Sequence, residues 1–348
     1  MREREELAGG HEHGFEPLER LDPREIRSFS SLVGRMGKTA LAARELGNAA
    51  DIACAMFSDP DCLVVMTLSG PMSIAKQDLV IAELIARNWI DVIVSTGAII
   101  VHSLVQEIGK VHFHYDPSWD DTRLYESGYN RVYDTVELEK SLDDSEHLVV
   151  DVLRRRDCSK PLASAELCRL LGEELVKQGA DRGVLQEAYL RTVPLFVPAF
   201  TDSELGLDVA MYNKRSDTKG TIDFDPLVDL EHYTDIVSKA KYLGILTIGG
   251  GVPRNWAQQV GPYVDALERR GVVDRSRPVK FHYGVRICPE PVHWGGLSGC
   301  TYSEGVSWGK FVSPKEGGRF AEVLCDASVV LPLLVLTVME RLGGDRTS

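Results

Sequence analysis

The segment Ser303-Glu304-Gly305-Val306-Ser307-Trp308-Gly309-Lys310 places a carboxylate, two glycines, an aromatic ring and an amine within eight residues, and Asp326-Ala327-Ser328 begins sixteen residues after Lys310. These types suit a buried amine nucleophile. A lysine desolvated against Trp308 loses proton affinity, and a neutral amine attacks an imine or carbonyl carbon. The same residues also spell a surface lysine after a turn, with Trp308 in the core. What decides between the two is which groups the rest of the chain can bring beside Lys310.

Asp202, Glu304 and Asp326 are the carboxylates expected near such a site. There they would fix a substrate ammonium, hold a ribose hydroxyl or move protons. Asp326 is equally well placed as the N-cap of a helix. His102 falls in a helix and faces either the site or solvent. His112 and His114 share one face of an extended segment but lack a third ligand, so no metal site is expected. Three short loops have backbone suited to a ligand: Leu68-Ser69-Gly70-Pro71, Ser95-Thr96-Gly97-Ala98 and Gly249-Gly250-Gly251. Glycine lets a ligand approach the main chain, and the helix amides that follow attract phosphate. Together the loops suit a dinucleotide, with a mononucleotide or plain strand-to-helix turns as alternatives. There is no GxGxxG pattern, and the lack of a Walker A sequence disfavours ATP hydrolysis.

The elements that must position these groups alternate. Apolar runs at 62–67, 91–95, 194–200, 243–248, 279–283 and 321–325 read as buried strands. Helical spacing recurs at about 24–50, 73–88, 226–240 and 253–271, and the apolar run Ala327–Met339 reads as a buried terminal helix. Runs apolar on both faces, separated by helices, predict an α/β fold with a Rossmann-like parallel sheet flanked by helices. In such sheets ligands gather beyond the carboxyl ends of the strands. Ser69, Thr96, Asp202, Gly249–Gly251 and Asp326 all fall at those ends. Residues 1–23 read as an N-terminal arm and 24–348 as a single catalytic domain.

At 348 residues, with 44% hydrophobic and 26% charged residues, the chain can bury a sizeable core. Its net charge of −13 opposes a nucleic-acid partner and favours cationic small molecules. Seven scattered cysteines without a CxxC pair, and a charged start without an apolar leader, predict reduced thiols and a cytoplasmic location. No segment is expected to span a membrane.

Phe200-Thr201-Asp202-Ser203-Glu204-Leu205-Gly206, Gly249–Gly251, Ser307-Trp308-Gly309-Lys310 and Cys325-Asp326-Ala327-Ser328 together resemble deoxyhypusine synthase in order and spacing, with similarity from about residue 28 to 343. The resemblance implies an NAD-dependent transferase, a homotetramer with active sites between paired subunits. In that family spermidine is oxidised, the imine loses diaminopropane, and the aminobutyl group passes through an enzyme lysine to a lysine of a translation factor. By the same resemblance Lys310 is the imine-forming lysine and Trp308 the wall for the amine. Glu304 and Asp202 become acidic contacts. Ser69, Ser73, Thr96, Gly97, Gly250, Asp326 and Ala327 fall at NAD-contacting positions.

The chain also departs from the eukaryotic pattern. Asn255 stands where a histidine is expected, and asparagine is no general base near neutral pH. Val101 and His102 replace an acidic pair, and Trp294–Gly299 replaces an aspartate-rich loop. Asn255 and His102 are therefore carried as substrate-side positions without the family's chemistry. The pattern resembles the bacterial deoxyhypusine synthase-like branch. It leaves three readings: transfer to a protein lysine, transfer to a small amine such as putrescine or agmatine to give a homospermidine-type product, and an NAD-binding protein with weakened catalysis.

Overall fold

The computed structural model describes residues 3–4, 7–218, 220–274 and 278–343. Residues 1, 2, 5 and 6 of the expected arm and the last five of the expected catalytic domain lie outside the described residues.

The strands form where apolar residues run unbroken. In chain order they are β1 (Cys62–Leu68), β2 (Val92–Ser95), β3 (Phe113–His114), β4 (Tyr129–Val132), β5 (Thr135–Leu138), β6 (Leu195–Phe196), β7 (Tyr242–Ile248), β8 (Tyr283–Ile287) and β9 (Arg319–Val323). Six of them make one parallel sheet in the order β6-β2-β1-β7-β8-β9. The chain starts in the middle, builds to one edge, then crosses back beside β1 to build toward the other. That is the doubly wound order, with its switch point between β1 and β7.

Alternate side chains feed two cores. Val64, Met66 and Leu68 of β1 pack with helices Leu41–Ser58, Asp78–Ala86, Gly97–Glu107 and Ala327–Leu342 on one face. Val65, with Val92, Val94 and Ile245, packs on the other against helices Pro226–Ser238, Gly251–Gln258 and Val260–Arg269. Both faces are covered, so the sheet is buried as the continuous apolar runs require.

Several boundaries move, each for a local reason. The expected 24–50 helix is two helices, Phe29–Met36 and Leu41–Ser58. The chain turns through Leu41 at φ +63°, and Gly37 lies so close to Gly47 that a Cβ on Gly47 would come within 2.3 Å of Gly37 Cα. The 73–88 helix shortens to Asp78–Ala86 after Lys76 takes φ +60°. The 194–200 strand keeps only Leu195–Phe196, since Pro194 and Pro198 have no N–H to pair. The 253–271 helix divides at Gln259. The strand expected at 279–283 lies instead at 283–287, and the one expected at 321–325 at 319–323. A second, antiparallel sheet, β3-β5-β4, lies within residues 113–138, where no strand was expected. No described helix is long and apolar enough to cross a membrane.

Candidate active site

All six parallel strands end on one rim, and backbone hydrogen bonds carry the ladder just past the strand ends. Ser69 N donates to Ile248 O at 3.0 Å, Thr96 N to Leu68 O at 3.1 Å and Gly249 N to Ile287 O at 2.8 Å. At the switch point Gly250 N donates to Ser69 Oγ at 2.7 Å. Gly249, at φ +76°, has its missing Cβ position 2.4 Å from that same oxygen, so a side chain there would destroy the turn. Three helices begin at this rim without a side-chain cap, after Thr96, Ser203 and Gly250. Their first N–H groups have no intrahelical acceptor, which suits an anionic ligand.

Lys310 is brought to the sheet by its own motif. Helix Tyr302–Ser307 starts on a Thr301 cap, and its hydroxyl accepts from Glu304 N at 3.1 Å. Gly305 has no side chain because Phe311 fills the space: a Cβ there would stand 2.5 Å from the Phe311 ring. Gly309, at φ +72°, reverses the chain after Trp308 and turns Lys310 inward. The two glycines therefore serve packing and a left-handed turn rather than flexibility. Phe281 N then donates to Lys310 O at 3.0 Å, and Phe281, Tyr302, Phe311 and Phe320 pack in tilted, edge-to-face and stacked pairs beneath the segment.

The lysine residue is 8% exposed, and its Nζ donates to Asn255 Oδ1 at 2.9 Å. Burial holds the ammonium below the usual lysine range. Nearby Cys300 works against this, Arg254 with it and Glu304 against it. Trp308 does not supply the desolvation. It is 62% exposed, with Lys310 Nζ 5.9 Å from its ring centroid, so it is neither a core residue nor a closed wall. Lys310, Trp308, Glu304 and Asn255 share a cavity of about 320 Å³ with Gln259, Leu297 and Cys300. Asn255 stands roughly one helical turn, about 6 Å, from the Gly250 turn.

Groups the sequence reading passed over fix this cavity. Arg254, 2% exposed, donates Nη1 to Cys300 O at 2.7 Å. Arg286 on β8 donates Nη1 to Cys300 O at 3.1 Å and also to Ser298 O, and pairs with Glu322 on β9 at 2.5 Å. Glu322 in turn accepts from Tyr302 N at 2.7 Å. The loop before Lys310 is thus pinned by two buried guanidiniums. A lone charge inside each of two apolar runs, Arg286 and Glu322, was the available signal.

The remaining expected residues divide. Ser69 and Gly250 meet at the switch point, with Ser298 Cα 2.6 Å from where a Gly250 Cβ would stand. Thr96 is half-buried at the neighbouring strand end, and Gly97 is required by Ser203, whose Oγ would lie 2.0 Å from its Cβ. Ser73 is buried and donates to Ile99 O at 2.6 Å, which engages its hydroxyl. Asp326 is exposed and caps the terminal helix, accepting from Ser328 N at 2.8 Å, with Ala327 opening that helix. Asp202 is exposed beyond β6 and does not line the Lys310 cavity. Three strand spacings, roughly 14 Å, separate β6 from β7. His102 turns to Glu137 and His112 and also stands outside that cavity. A larger cavity of about 600 Å³ lies by the opposite ends of β2 and β6, beside Asp91, Pro194 and Leu195, and holds none of the expected residues.

Small residues and three uncapped helix starts gathered at the switch-point rim suit the phosphates of a dinucleotide, although the Ser73 hydroxyl is engaged by Ile99 O. The chain matches the family model described as "Deoxyhypusine synthase" over residues 31–338. It is 33% identical over 323 residues to "Probable deoxyhypusine synthase 2" of Methanosarcina mazei, covering 91% of this chain and 88% of that protein. It is 30% identical over 315 residues to a "Deoxyhypusine synthase-like protein" of Coxiella burnetii, covering 89% and 85%. A solved structure of a proposed deoxyhypusine synthase from Entamoeba histolytica aligns with a TM-score of 0.57 over 92% of this chain and 96% of that one, and at 17% identity it speaks for the fold alone.

Proposed function

This chain belongs to the deoxyhypusine synthase family, a family of transferases, and on that premise we propose that it moves an aminobutyl-type group from a polyamine through an imine on Lys310 to a second amine, with NAD as cofactor. Lys310 carries the reading: a nearly buried amine, destabilised as an ammonium and aimed at an amide oxygen 2.9 Å away, in a cavity roughly one helical turn from a crevice that suits a dinucleotide. When bound, NAD would accept hydride from the carbon next to the amine nitrogen and would return it to the imine formed with the acceptor amine. Ser69, Thr96, Gly250, the uncapped helix starts and Asp326 are the groups that would hold it.

The protein's own part follows from the side chains. Neutral Lys310 attacks the oxidised carbon; the bond from that carbon to the leaving amine breaks, and the carbon remains joined to Nζ as an imine. Asn255 accepts a hydrogen bond from Nζ and orients its lone pair, but an amide takes up no proton, so the protons the departing amine gains are those Nζ gives up as its imine forms. Glu304 is the carboxylate lining the cavity and would hold a substrate ammonium at its mouth, with Trp308 over it. The exposed Asp202, roughly three strand spacings away, would act in a neighbouring subunit's site, which accords with a homotetramer.

A second reading has its own support. The cavity is lined by one carboxylate and by Leu297 and Val292, which favours a short amine acceptor such as putrescine or agmatine over a longer chain. Incubating the protein and NAD separately with spermidine, putrescine and agmatine, and identifying products by mass, tests both. Transfer products are expected. Free aldehyde without transfer would point to an amine dehydrogenase, and no NADH with any amine to a binding protein; either would overturn the proposal.

A further inference from the structure

Away from Lys310, two imidazoles and a carboxylate converge from three elements. His102 belongs to helix Gly97–Glu107, His112 precedes β3, and Glu137 lies on β5. His102 Nδ1 is 2.9 Å from Glu137 Oε2, and His112 Nε2 is 2.9 Å from Oε1. The donor atoms all fall within 4.8 Å of one another, and among the described residues no other His, Cys, Asp and Glu side chains meet this closely in a group of three. The side chains are 14%, 0% and 3% exposed respectively. Spacing along the sequence hides the group, because His112 finds its partners ten residues back and twenty-five ahead rather than in His114.

We propose that His102 Nδ1, His112 Nε2 and Glu137 form a binding site for one divalent transition-metal ion of the Zn²⁺ type, with a further position left open. Two neutral imidazoles and a carboxylate are a donor set such ions take readily. At bond lengths of about 2.0–2.2 Å, tetrahedral donors stand roughly 3.3 Å apart. The observed 2.9 Å separations therefore need to open by only a few tenths of an ångström. Glu137 already turns one oxygen to each imidazole, Oε2 to His102 and Oε1 to His112. For Nε2 of His112 to be the ligand the ring proton must sit on Nδ1, so Lys76, whose Nζ now lies 2.6 Å from Nδ1, gives up that contact and keeps Gln106 Oε1 at 2.9 Å. The metal replaces the ring protons that now bridge to Glu137 and ties the small antiparallel sheet to the helix that starts at the Thr96 rim.

The test uses the full chain, stripped with a chelator, and no activity readout. Calorimetric titration with Zn²⁺ alone is expected to give one site per chain. Co²⁺ should give the visible bands of a four- or five-coordinate ion, and Zn²⁺ should raise the melting temperature until chelator is added. Glu137→Gln and His112→Gln should each weaken Zn²⁺ more than about 100-fold, beyond what loss of an outer-sphere partner costs. Should both variants misfold, the unmutated chain still decides: Zn²⁺ must block diethyl pyrocarbonate modification of His102, mapped by mass, while exposed His11 and His13 still react. No uptake of Zn²⁺, unchanged binding in a folded variant, or His102 modified equally with and without Zn²⁺ would each overturn the site and leave a hydrogen-bonded network only.

Discussion

Replacing Asn255 by aspartate tests how Lys310 is kept reactive. The substitution preserves shape and puts a charge 2.9 Å from Nζ, where an amide oxygen now accepts. At an effective dielectric near 20, unit charges at that distance attract by about 6 kcal/mol. Desolvation of the new carboxylate takes back much of this. Opposite charges this close raise an ammonium's proton affinity by about 1–3 pH units, so the neutral fraction at a fixed pH near 7 falls about 10- to 1000-fold. The sign is set by the nucleophile: burial now favours the neutral amine, and the carboxylate would favour the ammonium. The assay is borohydride trapping of the polyamine adduct with NAD across a pH series. Asn255→Asp should trap slowly at neutral pH and recover as pH rises, with NAD affinity unchanged. A trapping rate and pH profile coincident with the unmutated protein would refute the reasoning. So would a loss that no alkaline pH restores, because it would mean geometry rather than protonation had failed.

Two further substitutions probe the scaffold. Gly250→Ala sets a Cβ 2.6 Å from the Ser298 backbone, which cannot rotate away, and should cost about 1–3 kcal/mol in denaturant unfolding. Gly34→Ala, in an early helix with only the end of Arg341 nearby at 3.5 Å, should instead stabilise by up to about 1 kcal/mol, measured the same way. Glu107 is raised to about 7 by burial, which outweighs hydrogen bonds from Gln186 N, Leu185 N and Ser103 Oγ. Its folded value exceeds the unfolded 4.5, so the native state binds the extra proton, and stability from this group falls as pH rises from about 4.5 to 7, by about 3 kcal/mol in all. Glu107→Gln should flatten that slope while leaving a backbone N–H unmatched at every pH; an unchanged slope in denaturant unfolding between pH 5 and 8 would contradict the assignment.

The central strands were legible because β1, β2 and β7 are apolar on both faces, and the rim followed from what stands at their ends. β8 was misread because Arg286 interrupts its apolar run, and that charge is tolerable only through Glu322 on the neighbouring strand, which no local pattern reveals. The small sheet escaped notice because β4 and β5 carry Asn130, Arg131 and Glu137 amid few apolar residues. At the site, Lys310, Asn255, Glu304 and Trp308 were named from the chain and do meet. The reason given for Lys310's burial was wrong in part: Trp308 is exposed, and the segment is packed from beneath by Phe281 and Phe311. His102 was read as facing the site or solvent, but its direction is set by Glu137, thirty-five residues away. Pairings across that distance depend on topology, which helix and strand periodicity do not encode.

The most direct measurement is to reduce the mixture of protein, NAD and spermidine with borohydride, digest it and locate the adduct by mass. An aminobutyl increment on Lys310, dependent on NAD and absent in Lys310→Arg, whose guanidinium stays protonated, is the result expected. An increment on another residue, or product formed at the full rate by Lys310→Arg, would contradict the covalent role of Lys310.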